Sequence, residues 1–190
     1  MDKKVVIGID LGTTTSEACI YVDDKYKHMK SPHGNIIIPS IVTFNEKTQD
    51  ISAGEIAFNR AKSGDATSVE EIKRLMGTEK KIAFGSTEYS PSEISSEILK
   101  YIKTYTEEFL QEKVEHAVIT VPASFNNNQK QDTKRAAELA GFKVERLVAE
   151  PTAAALAYCM ENTKGDDFVK LMVYDLGGGT FDVTVGEFHK

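Results

Sequence analysis

The chain has 190 residues, a net charge of −6 and 41% hydrophobic residues, enough apolar content to pack one or two domains. It has no Lys/Arg-rich block, so neither nucleic acid nor an anionic membrane is an expected partner. No apolar run reaches membrane-spanning length, the residues after Met1 are too few and too mixed for a signal peptide, and Cys19 and Cys159 stand outside any C-x-x-C pattern. A soluble, cytoplasmic protein with reduced thiols is therefore expected.

Residues 4–12 and 16–22 read as two strands joined by Gly12-Thr13-Thr14-Thr15. Residues 26–30 and 36–44 are further short strand candidates, the second interrupted at Pro39. Helix signals begin near Gly54, and Thr67-Ser68-Val69-Glu70 has capping-box spacing, which predicts a helix that stops at Gly77. The strongest helical pattern covers 91–111. Ser90 can cap it, Pro91 suits its first turn and Glu93 sits at the capping-box position. Along it Ile94, Ile98, Leu99, Ile102, Tyr105 and Phe109 recur at spacings of three and four.

From residue 116 onward strands and helices alternate. Residues 116–121 read as an apolar strand, 127–140 as a helix ended by Gly141, 144–149 as a strand and 152–160 as an alanine-rich helix. Ala153 to Ala155 suit close packing of that helix on a sheet. Such alternation implies parallel pairing and an α/β domain. A polar stretch at 161–167 then precedes a hairpin whose two arms flank Gly177-Gly178-Gly179. The segment 36–89 lacks buried strand runs of the kind seen after 116 and reads as an inserted unit.

One plan occurs twice. Asp10-Leu11-Gly12-Thr13-Thr14 and Asp175-Leu176-Gly177-Gly178-Gly179-Thr180 each follow an apolar strand and precede another. Glycine and threonine turns can point successive backbone N–H groups into one concavity and so bind an anion. The aspartate at the strand end adds a hard oxygen of the kind Mg²⁺ prefers, often through retained waters. Two such turns facing each other would hold a polyphosphate with its metal. Neither is a Walker A loop, and Asp182 stands where the dinucleotide fingerprint needs glycine.

Four motifs occur in order: Ile9-Asp10-Leu-Gly-Thr-Thr14, Val121-Pro-Ala-Ser-Phe-Asn126, Glu150-Pro-Thr-Ala-Ala-Ala155 and Asp175-Leu-Gly-Gly-Gly-Thr-Phe-Asp182. Together they resemble the ATPase domain of the seventy-kilodalton heat-shock chaperones (the DnaK type). Asn35 with Ile38-Pro39-Ser40, and Lys73-Arg-Leu-Met-Gly77, extend the likeness over essentially the whole chain. The resemblance implies an actin-like ATPase fold, α/β, with a ribonuclease-H-like mixed sheet. The first lobe would be 1–164, with its core at 1–38 and 90–164 and an inserted subdomain at 39–89. Residues 165–190 would be the first hairpin of the second lobe.

By the same resemblance ATP or ADP with Mg²⁺ would occupy the cleft between lobes. Asp10 and Asp175 would hold Mg²⁺ through its waters, with Glu150 in its outer shell. Gly12, Thr13 and Thr14 would bind phosphate from one side and Gly177, Gly178, Gly179 and Thr180 from the other. Lys73 would reach the γ-phosphate, although a lysine on an exposed helix is otherwise a solvated cation. Asp182 would assist proton transfer, and Pro122 with Lys130 would relay nucleotide state. Thr15 stands where many members carry tyrosine, Lys130 where arginine is usual, and 77–90 is shorter than in common members.

The implied function is an ATPase that couples nucleotide hydrolysis to binding and release of unfolded or extended peptides through a C-terminal domain. A J-domain co-chaperone and a nucleotide-exchange factor would be its partners in protein folding and the stress response. The alternative is an actin-like cytoskeletal or scaffold ATPase. Much of the second lobe would lie outside these residues, so the polypeptide alone is expected to bind ATP poorly and hydrolyse it negligibly. Leu171, Val173, Val183 and Val185 of its hairpin are expected to lack their normal cover. His28, His33, His116 and His189 show no metal or catalytic spacing.

Overall fold

The computed structural model describes residues 4–23, 25–64, 66–162, 168–177 and 181–189. The first strand, β1 (Val6–Leu11), is strictly alternating. Ile7, Ile9 and Leu11 point into the core, which puts Gly8 and Asp10 on the opposite face. It pairs antiparallel with β2 (Thr15–Val22), whose Ser16, Ala18 and Ile20 are buried on the same core face. It pairs parallel with β10 (His116–Val121), and β10 pairs parallel with β11 (Lys143–Ala149). With β3 (Lys25–His28) and β4 (Ile38–Pro39) both on β2, this makes one mixed six-stranded sheet.

The sheet's core face is covered by α2 (Pro91–Leu110) and α3 (Asn127–Leu139), whose Ile94, Ile98, Leu99, Ile102, Ala136 and Ala137 join Ile7, Ile9 and Ile20 in one apolar cluster. Both helices begin with complete capping boxes, Ser90 with Glu93 and Asn126 with Gln129. Phe109 leaves the expected stripe. It is exposed, and the Lys27 ammonium sits 4.6 Å from its ring centroid. The opposite face of the sheet receives α4 (Glu150–Asn162), which starts directly where β11 ends.

The middle of the chain forms a second, three-stranded sheet in which β5 (Ile41–Asn45) lies between β6 (Asp50–Ala53) and β7 (Thr67–Glu70). Helix α1 (Gly54–Ser63) follows β6 directly, and a small hairpin, β8 (Ile82–Phe84) with β9 (Thr87–Tyr89), completes the region. Two expectations change here. Ile41 to Phe44 are all buried, so 36–89 does contain a buried strand run, and Val42, Phe44 and Ala53 belong to the same cluster as Ile7 and Ile98. The capping-box spacing at Thr67–Glu70 opens no α-helix. Those four residues pair with Phe44 to Ile41, and Glu71 takes a left-handed conformation (φ 54°), which stops helical propagation backward. Only a short 3-10 helix, Ile72–Leu75, follows, and Gly77 (φ 75°) turns the chain away. A local hydrogen-bonding signal lost to a ladder partner supplied from distant sequence.

The last element is a hairpin of β12 (Phe168–Leu176) and β13 (Phe181–His189) that forms its own two-stranded sheet. Val169, Leu171 and Val173 are half-buried on the face toward α4, whereas Met172, Tyr174, Val183 and Val185 are exposed.

The α2 cap makes a testable pH statement. The Glu93 carboxylate accepts from the Ser90 hydroxyl (2.6 Å) and the Ser90 N–H (2.7 Å), and these bonds, led by the hydroxyl, hold its pKa below the usual carboxylate range. A carboxylate with a depressed folded pKa adds stability above its unfolded value, about 4.3. That stability disappears as pH falls through the folded value. Glu93→Gln should therefore melt below wild type at pH 7, and by a smaller gap at an acid pH beneath the folded value. Equal gaps at both pH values would show that the ionised carboxylate contributes nothing to the cap.

Candidate functional site

A cleft of about 830 Å³ lies between the outer face of the six-stranded sheet, α4, the 3-10 helix and the end of β12. Strand alternation explains its floor. Gly8 and Asp10 of β1, Glu17 and Cys19 of β2, and Val118 and Thr120 of β10 all point away from the apolar core and line the cleft. Asp10 and Thr120 are partners in the parallel β1–β10 register, and the Thr120 hydroxyl donates to Asp10 Oδ1 at 2.6 Å. That bond orients the carboxylate at the strand end, where the chain enters its first turn.

The turn itself depends on glycine. A Cβ built on Gly12 would overlap the main-chain carbonyl oxygen of Thr15, so no side chain fits without opening the loop. Thr13 and Thr14 follow and line the cleft with it. The other side of the turn is tied down by the Ser40 N–H, which donates to the Thr14 carbonyl at 2.8 Å.

Lys73 arrives from the second sheet. Far from being a solvated cation, it is only 7% exposed and donates to Glu150 Oε1 at 2.7 Å. The Phe125 ring lies 5.8 Å from its ammonium. The 3-10 helix that carries Lys73 is held against α3 at Gly77, whose N–H donates to Asp132 Oδ2 at 2.7 Å and whose missing side chain lets Gln129 approach. Burial raises the Glu150 pKa; the Lys73 ammonium pulls it down, and Asp10 and Asp175 push it up again. A buried ion pair of this kind contributes little net stability, since desolvation offsets the attraction. What it does is hold an ammonium at one place in a cleft that also faces two aspartates.

Asp10, Gly12, Thr13, Thr14, Lys73, Pro122, Glu150, Asp175 and Gly177 therefore come together at one cleft. Asp182 does not line it. It sits on β13 opposite Asp175 in the hairpin register, half-buried. Lys130 lies in the first turn of α3, also away from the cleft lining. Gly178, Gly179 and Thr180 fall outside the described residues. Thr120 escaped the sequence reading, and Phe125 entered it only as part of the Val121–Asn126 motif. The only signal for Thr120 was adjacency to that motif, because the register that sets it beside Asp10 is tertiary. Ala153 and Ala154, expected as packing positions, line the cleft as well, while Ala155 is buried.

A mixed sheet ending in a glycine-dependent turn, next to a buried lysine and three carboxylates, fits the actin-like ATPase fold, α/β with a ribonuclease-H-like sheet, that the motif resemblance implies. Sequence comparison narrows that class to one family. The family model described as "Hsp70 protein" matches residues 6–84 and 78–190, and this chain belongs to the Hsp70 family. It is similar to three proteins named "Chaperone protein DnaK". It is 47% identical to that of Mycoplasma mobile over 187 residues, 98% of this chain and 30% of that protein. It is 46% identical to the protein of Ureaplasma urealyticum and 45% identical to that of Mesomycoplasma hyopneumoniae, each over 185 residues, 97% of this chain and 30% of the relative. The chain thus spans about 30% of the length of the curated relatives it matches. No helix among the described residues is long and apolar enough to cross a membrane.

Proposed function

We propose that this chain forms part of the nucleotide-binding domain of an ATP-driven chaperone, whose ATP hydrolysis controls the binding and release of unfolded peptides. The observation that carries this reading is the convergence of Asp10, the Gly12–Thr14 turn, Lys73, Glu150, Asp175 and Gly177 on one cleft from four separate stretches of sequence. Residues 1–164 are assigned to the first lobe, with core 1–38 and 90–164 and inserted unit 39–89. Residues 165–190 are assigned to the second lobe. The three-stranded sheet and the β8–β9 hairpin, both confined to 39–89, and the separate sheet made by β12 and β13 support that division.

The proposed role of each residue combines its chemistry with what the resemblance to the Hsp70 family implies. Gly12, Thr13 and Thr14 offer backbone and hydroxyl donors to phosphate, and Gly177, Gly178, Gly179 and Thr180 do the same from the hairpin. Lys73 places positive charge at the γ-phosphate and orients the attacking water, with Glu150 fixing the ammonium. Asp182 assists proton transfer, and Pro122 with Lys130 carries the nucleotide state onward. No cluster of three His, Cys, Asp or Glu among the described residues is arranged to chelate a metal directly. Asp10 and Asp175 nevertheless face one cleft and both act on Glu150 electrostatically. That donor set fits a hydrated cation held through its waters, as Mg²⁺ commonly is. When bound, Mg²⁺ would neutralise charge on the phosphates. Extended peptides, a J-domain co-chaperone and a nucleotide-exchange factor are the proposed partners, and the cytoplasm the proposed location.

The test is Mg²⁺-dependent ATP turnover by the full-length protein, with release stimulated by peptide. Absence of turnover would refute the reading, and nucleotide-dependent filaments in a sedimentation assay would favour an actin-like scaffold instead. Asp10→Asn should shift the Mg²⁺ titration of turnover to higher concentration by about tenfold, the loss of roughly one charge-assisted contact. An unchanged titration would remove Asp10 from the metal's surroundings.

A further inference from the structure

Two parts of the candidate site are carried by different sheets. Asp10 and the Thr13–Thr14 turn belong to the six-stranded sheet, whereas Lys73 follows β7 of the three-stranded sheet by three residues. Strand β4 belongs to the first sheet and β5 is the centre of the second; Ser40 is the single residue between them. Ser40 is 3% exposed and, at this junction, makes two contacts to the first sheet. Its N–H donates to the Thr14 carbonyl, and its hydroxyl shares a 2.8 Å hydrogen bond with the hydroxyl of Ser16, which is 1% exposed.

Both ends of that hydrogen bond are next to working parts. Ser16 pairs with Leu11 at the base of the phosphate turn. Ile41, the residue after Ser40, pairs with Glu70, and the chain runs from Glu70 to Lys73 within one short turn. We propose that the Ser16–Ser40 pair is a positioning clasp that sets the distance between the phosphate turn and Lys73, and so tunes turnover without touching nucleotide. An apolar pair of similar volume could fill the same space, but its contact would be non-directional. A hydroxyl pair has one preferred distance and angle, so it fixes how the two sheets meet.

The inference rests on the ATPase reading, and its test separates the two. In the full-length protein, Ser40→Ala and Ser16→Ala each leave one buried hydroxyl without its partner, so each should lower Tm. Each should also lower kcat by about tenfold, with KM for ATP changed by less than about twofold. The double variant S16A/S40A leaves no orphaned hydroxyl and should regain most of the lost Tm. Its kcat should stay about tenfold low, because the directional tie is still missing. Its amide exchange at Thr14 and across Ile72–Met76 should be faster than in wild type. Recovery of kcat together with Tm in the double variant would show a merely structural pair and overturn the clasp. So would wild-type exchange rates at Thr14 and Ile72–Met76, a readout that needs no activity. A wild-type protein without ATP turnover would instead overturn the ATPase reading, and with it the clasp's role in turnover.

Discussion

Lys73→Ala in the full-length protein is expected to lower kcat by about 10²–10³-fold, the usual loss when a group that stabilises transition-state charge is removed. Nucleotide affinity should change far less, because the Gly12–Thr14 turn is untouched. The structure adds a second consequence. Lys73 lowers the Glu150 pKa against the effect of burial and of Asp10 and Asp175. Without the ammonium, Glu150 should hold its proton to higher pH. A raised folded pKa means that the native state binds the proton more tightly, so the variant should lose stability as pH climbs from the unfolded value, about 4.3, through the new folded one. Single-turnover kinetics with calorimetry of Mg-ATP binding measure the first effect, and thermal melts from pH 4 to pH 8 the second. Wild-type turnover in Lys73→Ala would remove this lysine from the mechanism.

Gly12→Ala should be the second severe substitution, for a reason that is purely steric. The added methyl meets a main-chain carbonyl, that of Thr15, and no flexible side chain can yield in its place. The loop must open, which displaces Thr13 and Thr14 and strains the Leu11–Ser16 pairing at its base. Overpacking of this sort costs about 1–3 kcal/mol. Phosphate donors shifted out of line should weaken Mg-ATP binding by about 100-fold, equivalent to about 2.8 kcal/mol. Gly34→Ala is the control. Gly34 also has a positive φ, 85°, but nothing lies within 4 Å of an added Cβ. It should lose about 1 kcal/mol of stability from backbone strain alone and bind nucleotide normally. If Gly12→Ala bound Mg-ATP as tightly as Gly34→Ala, the first turn would not be a phosphate cradle.

The sequence by itself determined the elements whose signals are local and self-reinforcing. Helix α2 carries its cap, its first-turn proline and an apolar stripe within twenty residues, so no distant partner is needed to recognise it. Strands β1 and β10 are apolar runs with clear ends, and the Asp-Leu-Gly plan is legible because it occurs twice, each time between two apolar runs. Only the tertiary structure decided the rest. Thr67–Glu70 satisfies the spacing of a helix start, yet ladder bonds to β5 outweigh it, and those partners lie more than one element away. Lys73 reads as a solvated cation until the fold buries it against Glu150, a partner from the far half of the chain. Thr120 carries no signal of its own and Ser40 only that of the Ile38-Pro39-Ser40 motif, because their contacts with Asp10 and Ser16 come from strand register and from a junction between sheets. Local chemistry states what a turn can bind, but which charges face it depends on contacts between residues far apart along the chain.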